Sequence, residues 1–142
     1  MKKLFLDANI FFAATFSPSG GSAMLFELAK YKRVELLTSL YALNEAKRNI
    51  LHKGGKIYLP RFYQLVSELK TIDQKVYNDS DLIKWEEWIV KKDAPILISA
   101  QGQKVDFLIT LDKKDFKSKR IESAPIHFII FNPGELIQSL KP

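Results

Sequence analysis

The chain has 142 residues, 46% of them hydrophobic and 27% charged. That suits a single domain over 1–142 with a real core and excludes both a disordered tail and two ordinary domains. It has no cysteine and only two histidines, His52 and His127, so disulfides, thiolate sites and a histidine-based zinc centre are excluded. A bound metal would therefore have oxygen ligands, which favours Mg2+ or Mn2+ over zinc. The net charge of +6 suits a polyanionic partner such as nucleic acid, or an acidic protein, and equally plain solubility.

Met1-Lys2-Lys3 followed by Leu4-Phe5-Leu6 imitates a signal peptide, but Asp7 and Asn9 interrupt its apolar core. No apolar run approaches the roughly 18 residues that span a bilayer. The expectation is a cytoplasmic protein with no membrane partner.

In chain order, Leu4 to Leu6 predicts a short buried strand, with Asp7-Ala8-Asn9 as the turn out of it. Ile10 to Phe16 reads as a short helix, ended by Ser17-Pro18-Ser19-Gly20-Gly21. Ser22 to Lys30 has helical spacing. Val34 to Leu37 is a second strand, and Thr38-Ser39 are good caps for a helix carrying Leu40, Leu43, Ala46 and Ile50. Glu45 lies midway along that helix.

His52 to Pro60 reads as a loop and Arg61 to Lys70 as a helix, with Thr71 to Val76 a short edge strand. Ser80 or Asp79 caps a helix to about Val90, and Asp93 caps Ala94 to Gln103. Val105 to Leu111 and Ile126 to Phe131 are the last strands, and a closing helix follows Asn132-Pro133-Gly134. Alternating strands and helices give an α/β class, three layers with a mainly parallel central sheet.

Three carboxylates sit at the ends of these elements, Asp7, Asp93 and Asp112, and a fourth, Glu45, sits inside a helix. In a parallel α/β sheet the strand ends and following helix starts share one edge, where ligands bind. Carboxylates gathered there are costly without cations, so the pattern suggests a divalent-metal site. Each residue also has a plain reading: Asp7 and Asp112 as turn residues, Asp93 as a helix cap, Glu45 as a solvated glutamate beside Lys47 and Arg48. Their co-occurrence in one topological pattern is what carries weight.

That pattern resembles the PIN-domain nucleases, especially the VapC-like toxin ribonucleases of type II toxin–antitoxin pairs. The matching blocks are Leu6-Asp7-Ala8-Asn9, Thr38-Ser39 leading to Glu45, Asp93-Ala94-Pro95-Ile96-Leu97, Val105 to Asp112, and Asp115-Phe116. They cover essentially the whole chain. The resemblance implies that Asp7, Glu45, Asp93 and Asp112 form the acidic catalytic site, with Asp7, Asp93 and Asp112 as metal ligands. Asn9 and Thr110 would orient carboxylates or water, and Asp115 would support the site through water. Asp106 belongs to the strand motif and could face the site without being a ligand.

Phosphodiester hydrolysis needs an activated water and stabilised charge on phosphate and leaving oxygen, which carboxylate-held Mg2+ or Mn2+ supplies without a histidine base. Lys47, Arg48, Lys113 and Lys114 are the candidate nucleic-acid contacts, with Lys53, Lys56, Arg61, Lys117, Lys119 and Arg120 near them; a solvated face is the alternative. Trp85 and Trp88 read as core or interface rather than a base-stacking platform, and Tyr58, Phe62 and Tyr63 as core packing, with a stacking or partner surface as the alternative.

The resulting expectation is a metal-dependent endoribonuclease with an RNA substrate and a small antitoxin partner, with room for a homodimer. A catalytically silent PIN-like scaffold that binds RNA or protein stays open beside it. A receiver or phosphoryl-transfer domain ranks lower, because Asp7-Ala8-Asn9 lacks the second aspartate of an Asp-x-Asp nucleophile.

Overall fold

The structure is a computed structural model describing residues 1–142. Five strands, β1 (Lys2–Leu6), β2 (Val34–Ser39), β3 (Thr71–Asp73), β4 (Phe107–Ile109) and β5 (Ile129–Phe131), form one sheet in the order β3-β2-β1-β4-β5. Every pairing is parallel. The central strands are continuous apolar runs because both faces of a parallel sheet are covered. Leu4, Phe5, Leu6, Leu36, Leu108 and Ile109 are accordingly fully buried.

Between β1 and β2 lie α1 (Ala8–Phe16) and α2 (Gly21–Lys30); between β2 and β3, α3 (Leu40–Gly54) and α4 (Leu59–Val66). The crossover to β4 carries α5 (Asp79–Ile83) and α6 (Ala94–Gly102), that to β5 carries α7 (Lys113–Phe116) and α8 (Lys119–Glu122), and α9 (Pro133–Ser139) closes the chain. Right-handed crossovers put α1 to α4 on one face and α5 to α8 on the other, giving three layers. The strand order reverses between β1 and β4, so the crevice beyond their carboxyl ends is the topological switch point of the sheet.

Several boundaries differ from the sequence expectation. Asp7 is not part of an open turn; it is the N-cap from which α1 begins at Ala8. The expected loop from His52 to Pro60 is largely helical: α3 runs on to Gly54, a 3-10 turn spans Lys56–Tyr58, and α4 starts at Leu59. Gly54 sits where a Cβ would lie 2.5 Å from the Tyr58 ring and 2.8 Å from that of Phe16. Gly55 has φ 83°, a conformation open to glycine at little cost. The glycine pair therefore turns the chain tightly rather than loosening it.

Thr71 to Val76 shortens to three residues, Thr71–Asp73, because Asp73 bends the chain away by accepting from the Lys75 amide at 3.0 Å. Helix α5 is capped by Asn78, in a box with Asp81, rather than by Asp79 or Ser80, and it ends at Ile83 instead of near Val90. The two last strands are three residues each. Leu111 leaves the ladder to donate to the Asn9 side chain at 3.1 Å, and the His127 amide donates to the Gln101 side chain at 3.2 Å instead of to a neighbouring strand.

Candidate active site

Asp7 extends β1 into the switch crevice and is only 6% exposed. Its Oδ1 accepts from the Ala8 amide at 2.7 Å, and its Oδ2 accepts from the Thr110 hydroxyl at 2.7 Å. Asn9 donates to Thr110 Oγ1 at 3.2 Å and to Asp7 Oδ2 at 3.4 Å, while Thr110 Oγ1 accepts from the Asp112 amide at 3.1 Å. The ends of β1 and β4 are thus laced together by Asn9 and Thr110. Burial pushes the Asp7 carboxyl up to about 6; the Thr110 and Ala8 hydrogen bonds oppose it, and the charges of Glu45 and Asp112 add to it.

Across the crevice, Asp93, Asp112 and Asp115 each present a carboxylate oxygen within 4.8 Å of the others. Asp112 caps α7, accepting from the Asp115 amide at 3.1 Å, which turns both side chains to one side. Asp93 stands at the mouth of α6 but makes no capping hydrogen bond, contrary to the sequence expectation. Its residue closes a 3-10 turn (Lys91–Asp93) with φ −100° and ψ −10°, not the extended backbone of a capping residue. Its Oδ2 is buried with no hydrogen-bond partner and meets only the Lys92 ammonium, 3.7 Å away. Burial first, then contact with the Asp115 carboxyl and the charge of Asp7, hold Asp93 well above the ordinary carboxylate range.

Two residues that no motif in the sequence marks complete this rim. Lys92 brings its ammonium to 3.7 Å from Asp93 and 3.8 Å from Asp115, while its side chain stays 72% exposed. Tyr41 donates its hydroxyl to the Lys92 carbonyl, tying α3 to the turn that carries Asp93. Adjacency to Asp93, and a position one helical turn before Glu45, are the signals that could have found them.

Glu45 is half-buried on α3, whose start is fixed by Ser39 accepting from the Ala42 amide at 3.1 Å. It is close enough for its charge to act on Asp7. Asp106 is elsewhere: it accepts from the Lys3 amide at 2.8 Å, at the amino end of β1 and the opposite sheet edge. Of the basic residues, Lys113 and Lys114 are exposed on α7 beside Asp112, and Arg48 is exposed on α3. Lys47 lies 5.5 Å from the Tyr63 ring centre. Lys117 and Arg120 are occupied with structure, bonding the Ile130 carbonyl and the Glu86 and Glu87 carbonyls respectively. Trp85 and Trp88 pack edge to face against each other and lie against the core, and Phe62 is buried within it, whereas Tyr58 and Tyr63 are exposed rather than packed in the core.

No family model and no curated protein sequence matches this chain. Its fold, however, matches solved structures closely in extent. VapBC2 from Rickettsia felis, solved with a DNA fragment of its promoter, aligns over 92% of this chain and 98% of its own, with 21% identity and a TM-score of 0.67. DNA-bound VapBC from Salmonella typhimurium covers 94% and 99%, at 16% identity and a TM-score of 0.66. The Mycobacterium tuberculosis toxin VapC20, which cleaves the sarcin–ricin loop, covers 87% and 96%, at 11% identity and a TM-score of 0.57. The fold is that of the VapC-like PIN domain.

In this PIN-like frame the donor set decides which cofactor is chemically reasonable. The side chains at the switch crevice are carboxylates, a hydroxyl and an amide, all oxygen donors suited to a hard divalent cation. A buried carboxylate oxygen without a hydrogen bond, at Asp93, is costly, and the exposed Lys92 ammonium at 3.7 Å offsets that only in part. The Asp93, Asp112 and Asp115 group could therefore hold such an ion. No helix of the chain is long and apolar enough to cross a membrane.

Proposed function

We propose that this chain is an endoribonuclease that hydrolyses RNA phosphodiester bonds with Mg2+ or Mn2+. The observation that carries this is the buried Oδ2 of Asp93, which has no hydrogen-bond partner and only the exposed Lys92 ammonium 3.7 Å away, beside Asp112 and Asp115 and facing Asp7 across the switch crevice. Asp93, Asp112 and Asp115 would hold the cation, with Asp7 at its back and Glu45 at the rim. Bound there, the cation supplies charge stabilisation for the phosphate and an acidified water.

The chain's own residues do the positioning. Thr110 and the Ala8 amide hold the Asp7 oxygens in one orientation, and Asn9 holds Thr110. Tyr41 fixes the backbone of Lys92 and so the direction of Asp93. Lys92, exposed and reaching two carboxylates, is placed to meet a phosphate entering the crevice. RNA as substrate is supported by the shared fold with VapC20, a sarcin–ricin loop cleaving toxin, and by a net charge of +6 around an acidic site.

In the same reading residues 1–142 form one domain acting in the cytoplasm as the toxin of a toxin–antitoxin pair, its partner a small antitoxin that fills the acidic groove. The VapBC complexes that share its fold support that assignment. The test is cleavage of a structured RNA by wild type and Asp93→Asn, with Mg2+ and with excess EDTA. Cleavage by the wild type that is lost in EDTA and restored by Mg2+ is the expected result. Undiminished cleavage in EDTA would refute the metal mechanism.

A further inference from the structure

A cavity of about 320 Å3 opens between α1 and α3, lined by Asn9, Phe12, Glu45, Asn49, His52 and Lys53. We infer that it is the track of the RNA strand on one side of the cleaved phosphate, holding a single unpaired nucleotide. This rests on the ribonuclease reading above and deepens it by assigning residues that recognise the substrate.

The placement follows from helix geometry. Glu45, Asn49 and His52 are spaced four and three residues apart, so they lie along one face of α3. Asn9 and Phe12, three apart, form the facing wall on α1. The cavity shares Asn9 and Glu45 with the carboxylate crevice, so the two are continuous. From Glu45 to Lys53 is about 12 Å along the helix axis at 1.5 Å per residue. Over that length the lining changes from acid, through the Asn49 amide, to imidazole and ammonium.

That sequence of groups suits a strand running from its cleaved phosphate toward a later one, with an unpaired base between. The acid end needs a cation before it accepts a phosphate, whereas the His52 and Lys53 end accepts one directly. Lys53 is not free to sweep the surface: its ammonium lies 5.9 Å from the Phe12 ring centre and 5.8 Å from that of Phe16. The close approach of Gly54 to Tyr58 and Phe16 fixes the same end of α3.

Between the two ends, Phe12 is the only apolar side chain in the lining and Asn49 offers both a donor and an acceptor. An aromatic wall with an amide beside it suits a splayed, unstacked base, the form in which RNA sequence is read. The volume lies near the bottom of the roughly 300–1,000 Å3 range of ligand sites. It admits one nucleotide unit and not a duplex.

The test combines binding and cleavage mapping. Anisotropy of a labelled single-stranded RNA pool is measured in EDTA against salt, for wild type, Lys53→Gln, His52→Gln and Lys30→Gln. Lys30 ends α2, at the opposite sheet edge. Lys53→Gln should weaken binding several-fold and lower the slope of log affinity against log salt by about 0.7. His52→Gln keeps the ring contacts of Lys53 intact and should also weaken binding, which guards against a folding defect in the first variant. Lys30→Gln should change neither quantity.

Asn49→Ala, with Mg2+, should change which base flanks the cut while its Mg2+-induced rise in melting temperature stays that of wild type. If wild type binds and cleaves RNA but the variants match it in affinity, slope and cut positions, the trough is not the track and the ribonuclease reading stands. If wild type neither binds nor cleaves RNA, both fall together.

Discussion

Two aspartate clusters lie at the same carboxyl edge of the sheet, and they have opposite electrostatics. Asp73, at the end of β3, is satisfied: it accepts from Ser99 at 2.6 Å, Tyr77 at 2.7 Å and the Lys75 amide at 3.0 Å. Burial pushes its carboxyl up, but those hydrogen bonds outweigh it and hold the pKa below the ordinary value. Asp7 and Asp93, at the switch crevice, are both pushed upward, and Asp93 keeps a buried oxygen with no hydrogen bond. One cluster fastens the loop after β3 to α6. The other carries repulsion that only the exposed Lys92 offsets, a pattern that gathers at functional sites. An acidic residue at a sheet edge is thus not a site by virtue of position; its unspent hydrogen-bonding capacity distinguishes it.

The largest expected effect separates the clusters by activity. Asp93→Asn should reduce Mg2+-dependent RNA cleavage by more than the roughly 10–100-fold that outer partners of a metal ligand typically cost. Asp73→Asn should leave the rate per folded molecule near wild type. Initial rates on one RNA substrate decide it, and equal losses in both variants would erase the distinction.

Next in size is the pH dependence of the metal-free protein. The folded Asp7 pKa of about 6 lies above the ordinary 3.8, so the folded chain keeps a proton that the unfolded chain has released. The associated stability is complete below about 3.8, falls as pH rises, and is gone above about 6. It amounts to about 3 kcal/mol for Asp7, with Asp93 acting in the same direction. Asp73, whose pKa is lowered, acts in the opposite one. Urea melts in EDTA across this range should show stability falling toward neutral pH, and Asp7→Asn should flatten the fall. A wild type whose stability rises over the same range would mean the switch cluster is not strained.

Magnesium should relieve that strain. At a hundredfold excess over Kd it should stabilise the wild type by about 2.7 kcal/mol, and Asp112→Asn much less. Asparagine caps a helix about as well as aspartate, so α7 should survive and the metal-free variant should be at least as stable as wild type. Thermal melts with and without Mg2+ measure both. An equal Mg2+ shift in the two proteins would make Asp112 a cap and nothing more.

The smallest effect belongs to the satisfied cluster. Asp73→Ala strands the Ser99 and Tyr77 hydroxyls and should cost about 1–2 kcal/mol of stability, reduced because Asp73 is partly solvated. Its Mg2+ shift should match that of wild type.

Much of this architecture is legible in the amino-acid chain itself. The apolar runs Leu4-Phe5-Leu6 and Phe107-Leu108-Ile109 and the alternation with helical spacing specify a parallel α/β sheet, because periodicity and burial are local properties. Asp7, Glu45, Asp93 and Asp112 stand out for the same reason, as acids at element ends or on a helix aimed at that edge. Not legible is which carboxyls are spent. Asp7 is bonded by Thr110, 103 residues away, and Asp73 by Ser99, 26 residues away. Asp106 shares a strand motif with Asp112 yet faces the opposite edge, since three residues of β4 separate the two ends. Asp93 loses its expected capping bond to a 3-10 turn, and Asp115 joins Asp93 and Asp112 through the turn of α7. The sequence by itself determined the fold class and the edge where acids collect. Only the tertiary structure decided which of their oxygens lack a hydrogen bond, because a carboxyl's partners come from whatever distant segment packs beside it.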